Sequence, residues 1–198
     1  MNFLAHIFLS GGENDIMLGN FMGDYVKGKD YQKYPDGIRK GIILHRAIDS
    51  FTDTHPVVHR SKTHLNARYH KFSGIIVDIF YDHFLCVEWE RYANVPLQEY
   101  IHNFYRLAAD NFSKFPPLVK RFLPFFIINN WLESYQTVEG IESVLYRMSQ
   151  RTSLPGEAQY AIHELVREYD SFRQEFLEFF PSLQSYVELR LNPEKAGS

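Results

Sequence analysis

Apolar residues recur every three or four positions along most of this chain, and almost nowhere every second position. That pattern predicts helices and no sheet. Helices are expected near residues 2–10, 14–27, 36–52, 56–70, 73–93, 97–112, 117–134, 138–150, 156–179 and 182–191. The clearest is "LPGEAQYAIHELVREYDSFRQEFLEFF", where Tyr160, Leu165, Tyr169, Phe172, Phe176 and Phe179 recur at helical intervals. Pro155 and Gly156 stop the segment before it, and Glu157 sits in its first turn, where negative charge is favoured. Pro116, Pro117, Pro124 and Pro181 mark breaks or kinks. No internal repeat, low-complexity tract or interdomain linker interrupts the pattern. The expectation is a single-domain, all-α helical bundle over residues 1–192, with a disordered tail over 193–198.

Composition sharpens this in three ways. The chain has 198 residues, 45% hydrophobic and 16% aromatic, enough for a sizeable core. Its one cysteine, Cys86, allows no intrachain disulfide, which fits a reducing, cytoplasmic setting. "MNFLAHIFLSGG" lacks the basic start and cleavage pattern of a signal peptide, and the longest apolar run, "FLPFFII", is too short to span a bilayer. No membrane partner is expected. The net charge of −3 is unevenly spread: ten Lys or Arg face four Asp between Lys27 and Lys71, an excess of +6, which leaves −9 elsewhere. Such a basic window suits an acidic partner, or else bases spread over a solvated surface.

The candidate chemistry lies in apolar helices that carry acids and imidazoles. In "GIILHRAIDSFTDTHP", His45, Asp49 and Asp53 share one helical stripe beside the apolar face of Leu44, Ile48 and Phe51. "GIIVDIFYDHFLCVEW" is apolar around nearly its whole circumference, the mark of a buried helix. Asp78 and Asp82 nonetheless share one side of it, with His83 a third of a turn or more away. Burying unpaired carboxylates costs several kcal/mol or more, so arginines, raised pKa values or a metal must compensate. "IMLGNFMGDYVKG" places Gly19 and Gly23 on one face for close helix approach, with Asp24 following, and "NFLAHIFL" adds His6. Mixed His and carboxylate ligands from several helices suit Mn, Fe or Zn. Each residue also has a plainer reading: His6 as a bonded core histidine, Asp53 or Thr54 as a cap of the helix that starts at Pro56, Asp78 and Asp82 as partners of Arg46. No Gly-rich phosphate loop or G-x-S-x-G elbow is present, and no basic aromatic platform for nucleic acid.

The stretches "MNFLAH", "GNFMGDYVKG", "GIILHRAIDSFTDTHP" and "DIFYDHFL", in this order and spacing, resemble the acyl carrier protein phosphodiesterase family over roughly residues 1–190. That resemblance implies hydrolysis of the phosphodiester that joins 4'-phosphopantetheine to a serine of holo-acyl carrier protein. It implies a divalent metal, typically Mn²⁺, on an all-α fold akin to HD-domain metal-dependent phosphohydrolases. The acidic carrier protein would dock on bases between Lys27 and Lys71. Asp24, His45, Asp49, Asp78 and Asp82 match the family's polar positions and become the expected metal ligands. Arg46 or Lys27 is then expected on the phosphoryl oxygens, and His83 or His6 as proton donor to the leaving serine oxygen. No histidine here is followed by aspartate; the nearest pair is Asp82-His83, reversed. Which acids touch the metal therefore stays open. A phosphohydrolase acting on a nucleotide or small ester, or a carrier-binding module without catalysis, are the alternatives.

Overall fold

The computed structural model describes residues 1–150 and 158–194. Its helices are α1 (Phe3–Phe8), α2 (Asn14–Met22), α3 (Asp36–Thr54), α4 (Pro56–Tyr69), α5 (Ser73–Val87), the single turn α6 (Trp89–Tyr92), α7 (Leu97–Asp110), α8 (Pro117–Ile128), α9 (Val138–Ser149), α10 (Ala158–Arg167) and α11 (Tyr169–Leu191). Short 3₁₀ turns join several of them, and no strand occurs among the described residues. The protein is an all-α single domain, as the periodicity predicts.

The bundle is organised around α5. Ile76, Val77, Ile79, Phe80, Tyr81, Phe84 and Leu85 are all fully buried, so this helix is covered on nearly every side. Along one flank runs the aromatic face of α11: Phe80 packs edge-on to Phe172 at 5.2 Å, and Tyr81 meets Phe176 at 5.7 Å. The opposite flank meets α1 through Asp82. In α3 the buried positions Ile38, Ile42, His45, Ile48 and Thr52 follow the helical repeat, so one stripe faces the core. α4 begins at Pro56, whose missing N–H costs nothing at that position. Its cap is His55, whose Nδ1 accepts from the Val57 N–H at 3.3 Å, and not Asp53 or Thr54.

The structure differs from the periodicity at several ends, each for a local reason. The helix expected to 27 stops at Met22 and tightens into a 3₁₀ turn over Gly23–Tyr25. The helix expected to 134 stops at Ile128: Asn130 takes a left-handed φ of 46°, and the N–H groups of Asn130 and Trp131 return to the carbonyls of Ile127 and Phe126. That is a C-terminal cap of the Schellman kind, with Asn in place of Gly. Pro181 lies inside α11 without ending it. An internal proline costs about 3 kcal/mol, which the buried Phe176, Phe179, Phe180 and Leu183 outweigh by holding both halves to the core. The break falls instead at Glu168, between α10 and α11. The stop signal at Pro155, Gly156 and Glu157, and residues 195–198 of the expected tail, lie outside the described residues.

α2 and α3 touch backbone to backbone. A Cβ at Gly19 would fall 2.1 Å from the Ile38 carbonyl oxygen, and one at Gly41 would fall 2.1 Å from that of Ile16. Alanine gains about 1 kcal/mol of helix propensity over glycine. Here overpacking should win, because the obstacle is backbone and cannot rotate away. Gly19→Ala is expected to destabilise the protein by about 1–3 kcal/mol, read as a lower urea midpoint with an unchanged slope. A midpoint equal to or above that of the parent would refute this account of the crossing.

Candidate active site

Three elements deliver the site. Asp82, fully buried on α5, accepts the backbone N–H groups of Asn2 (3.2 Å), Leu4 (2.7 Å) and Ala5 (3.3 Å). It therefore closes the start of α1 and fixes the direction in which His6 projects. From α2 comes Asn20, also fully buried. Its Nδ2 donates to the His6 carbonyl (2.6 Å) and to Ser10 Oγ (3.1 Å), so its Oδ1 must accept from His6 Nδ1 at 2.8 Å. The backbone carbonyl of the same Asn20 accepts from His45 Nδ1 at 2.8 Å. Gly23 leaves the space the His45 ring fills; a Cβ there would lie 2.2 Å from its Cγ.

One asparagine thus sets both imidazoles. Their rings stack with centroids 3.9 Å apart, and both Nε2 atoms point toward Asp49 of α3. Asp49 Oδ1 lies 3.1 Å from His6 Nε2, and Oδ2 lies 3.1 Å from His45 Nε2. Asp24, on the 3₁₀ turn, places Oδ1 3.3 Å from His45 Nε2. His45 Nε2 is buried and lacks a well-directed hydrogen bond. His6 Nε2 faces two acceptors, Asp49 and the Met1 carbonyl at 3.1 Å.

The electrostatics follow from this packing. Burial, with the neighbouring His45, holds His6 down at about 4, so it is neutral at pH 7. Burial also works against charge on His45, but the Asp24 and Asp49 carboxylates overcome it and push this imidazole up to about 9. Burial alone would raise Asp49; its bonds to His45 and His6 hold it well below the usual carboxylate range. The His45 imidazolium at 3.3 Å lowers Asp24, although burial opposes it.

This donor set fits a divalent cation. His6 Nε2, His45 Nε2 and an Asp49 oxygen lie within 4.8 Å of one another. Both rings have Nδ1 tied to a carbonyl oxygen, the arrangement that fixes the tautomer and frees Nε2 for a metal. In the protein alone, a proton on His45 answers the facing carboxylates; a cation would answer them and the idle lone pair of His6 together. The cluster opens on a cleft of about 780 Å³, lined by Asp24, Asp49 and Asp78 at one side and by His59, Lys62 and Lys71 at another.

The other expected site residues are placed as follows. Asp78 lines this cleft, with Oδ1 3.0 Å from the Met1 amino group; burial raises its pKa although that amino group opposes the shift. Asp82 does not reach the cluster, because its oxygens are taken by α1. His83 is also elsewhere: Nδ1 donates to the Tyr135 carbonyl at 2.7 Å and Nε2 meets the Tyr169 hydroxyl at 3.0 Å. Arg46 pairs with neither Asp78 nor Asp82. It donates to the Val26 carbonyl at 2.7 Å and lies over the Tyr31 ring, bracing the segment after Asp24. Asp53 is exposed and pairs with Lys62 at 3.1 Å. Lys27 is exposed. Asn20 carries the site's geometry and escaped the sequence reading; its only signal was one amide inside "IMLGNFMG".

The sequence model of the family described as acyl carrier protein phosphodiesterase matches residues 1–183. Among curated proteins, the acyl carrier protein phosphodiesterase of Yersinia pestis is 29% identical over 184 residues, covering 92% of this chain and 95% of that protein. The one from Pectobacterium atrosepticum is 30% identical with the same coverage, and the one from Salmonella paratyphi A is 28% identical over 186 residues, covering 93% and 96%. No solved structure matches.

Two predictions follow from the cluster's chemistry. A metal needs the neutral His45, which holds a proton below about pH 9. Uptake of Mn²⁺ at pH 7 should therefore release about one proton, and affinity should rise about tenfold per pH unit before levelling near the His45 value. Titration calorimetry in buffers of different ionisation enthalpy reads the proton; uptake without release, and a flat pH profile, would refute it. Second, Asp82→Asn should cost about 1–3 kcal/mol of stability by uncapping α1, yet leave Mn²⁺ stoichiometry intact in the folded protein. Asp49→Asn should do the reverse. Loss of metal from folded Asp82→Asn protein would return Asp82 to the ligand set.

Proposed function

The chain belongs to the acyl carrier protein phosphodiesterase family, and from that premise we propose that it hydrolyses the phosphodiester between 4'-phosphopantetheine and the serine of holo-acyl carrier protein. The products are the apo carrier and free 4'-phosphopantetheine. The observation that carries the reading is the His6, His45 and Asp49 cluster at one side of the cleft.

In this reading His6, His45 and Asp49 hold the divalent cation, Mn²⁺ by family resemblance, with Asp24 and Asp78 as further acids beside it. When bound, the cation offsets charge on the phosphoryl oxygens and makes water a better nucleophile near neutral pH. Asn20 keeps both imidazoles aimed before substrate arrives. Asp24, kept ionised beside His45 and open to the cleft, orients the attacking water and accepts its proton. Asp78, whose pKa burial raises, is the acid suited to return a proton to the leaving serine oxygen. Lys62 and His59 line the same cleft and take the part expected of Arg46, as hydrogen-bond donors to the phosphopantetheine phosphate. Helix-borne His and Asp ligands also support kinship with HD-domain phosphohydrolases. The single, buried Cys86 suits a reducing, cytoplasmic setting. No helix among the described residues is long and apolar enough to cross a membrane.

The non-catalytic alternative fares worse on one point. A binding module would neutralise its acids with arginine or lysine. Among the described residues, no Lys or Arg lies within ion-pair distance of Asp24, Asp49 or Asp78; besides the imidazoles, these acids face the Met1 amino group, 3.0 Å from Asp78 and 4.0 Å from Asp49, and Asp24 has no such partner.

The test is intact-mass spectrometry of purified holo-acyl carrier protein incubated with the protein and either Mn²⁺ or EDTA. Loss of the whole phosphopantetheine group is expected with Mn²⁺ alone, and Asp49→Asn should lower the rate by at least about 10³-fold. An unchanged carrier mass, with folded and metal-loaded protein, would move the substrate to another phosphoester.

A further inference from the structure

α8 presents an unusual outer face. Leu118, Arg121, Phe125 and Ile128 follow one another at steps of three and four residues, so they form one stripe. Leu118 is 60% exposed, Phe125 57% and Ile128 79%, while Val119, Leu123 and Phe126 anchor the inner face. Arg121 sits within the stripe and Lys120 beside it. No acid occurs from residue 111 to 132, and among the described residues no carboxylate pairs with Lys120 or Arg121. The helix also packs on elements that carry the site. Its Phe122 packs 5.2 Å from Tyr25, which follows Asp24, and 6.1 Å from Phe3, which opens the helix of His6.

The basic window from Lys27 to Lys71 looks different once folded. Lys33 pairs with Asp30, Arg39 with Asp36, Lys62 with Asp53 and Arg60 with Glu178, while Arg46 is taken by Val26 and Tyr31. Arg68 and Lys71 lie over the Tyr160 and Phe72 rings, so at least seven of its ten bases are engaged within the protein.

We propose that the outer face of α8 is the docking surface for the protein part of the substrate, an acidic helix with apolar side chains between its acids. This rests on the reading of the site as a carrier phosphodiesterase. The reacting phosphorus is bonded directly to a serine of the partner, so the partner's surface must come to the rim of the His6, His45 and Asp49 cluster. The flexible phosphopantetheine arm can enter the cleft; the folded carrier must stay outside. Through Phe122, α8 packs on the elements that carry Asp24 and His6, and its outer face brings apolar contact area and unopposed positive charge together beside them. Its stripe spans about 15 Å, the length of a short apposed helix. Apolar anchors there would supply residence time, and Lys120 and Arg121 would supply steering and orientation.

The test compares the full-length protein with the double variants Lys120→Glu/Arg121→Glu and Leu118→Ala/Phe125→Ala. All four positions lie on the surface or its edge, so melting temperatures should stay level. Holo-carrier hydrolysis with Mn²⁺ gives kcat and KM, and fluorescence anisotropy gives affinity for the apo carrier, which lacks the arm. For both variants KM should rise at least tenfold with kcat within twofold, and apo-carrier binding should weaken in parallel. Wild-type KM should climb with salt, and that of the charge variant should climb less. KM within twofold of wild type in both variants, with hydrolysis intact, would overturn the docking surface and leave the reaction standing. Unchanged KM with lost binding to phosphatidylglycerol vesicles would overturn it in favour of a lipid surface. Wild-type protein that neither cleaves nor binds the carrier would overturn both readings.

Discussion

The site depends on one buried asparagine. Asn20 accepts from one imidazole through its side chain and from the other through its backbone carbonyl. A buried amide is costly unless its groups are satisfied, and here the bonds that satisfy it also aim both histidines. Its position depends in turn on the α2–α3 contact, which only glycine at 19 and 41 permits. A wider crossing would carry the Asn20 carbonyl away from His45. Backbone packing and ligand orientation are therefore one constraint.

Asp82 does for α1 what Asn20 does for the imidazoles. α1 is only six residues long, too short to be stable alone, and lacks an acid in its first turn. A carboxylate from the core helix supplies what the local sequence omits. Burial pushes this acid up to about 7, against the pull of the N–H groups of Leu4, Ala5 and Asn2. The same type of residue, one helical turn from Asp78 on α5, thus serves structure at one position and lines the cleft at the other. Side-chain direction decides between them: Asp82 meets the start of α1, while Asp78 faces the cleft.

This also explains what could be read from the sequence. Helix class, the buried character of α5 and the aromatic face of α11 follow from apolar spacing, which is a local property. His45 and Asp49 share a stripe on one helix, so their meeting was legible as well. The separation of Asp78 from Asp82 was not, because it depends on where α1 starts in space. Arg46 looked like a phosphate ligand beside His45, yet its guanidinium turns to a carbonyl and a ring on the segment that carries Asp24. The cap at Asn130 needed a left-handed asparagine, which "IINNWL" suggests only weakly. Family motifs singled out the polar positions as a set, but a motif does not say which members touch each other.

The cluster's acids clarify why such a site is held in a helical core at all. Asp24 and Asp49 face one protonated imidazole, the Met1 amino group lies between Asp49 and Asp78, and His6 cannot share the load because burial keeps it neutral. A fold selected for stability alone would place a guanidinium there, and Arg46, next to His45 in sequence, is near enough in the chain to have served. It points instead to the loop. The negative charge that His45 and the Met1 amino group leave over is therefore maintained by the geometry, and a rigid frame keeps like charges close without collapse. Glycine contacts, the Asn20 bonds and the Asp82 cap supply that frame. The stability these features contribute offsets the cost of an electronegative pocket, whose natural complement is a divalent cation and the phosphoryl group it would draw in.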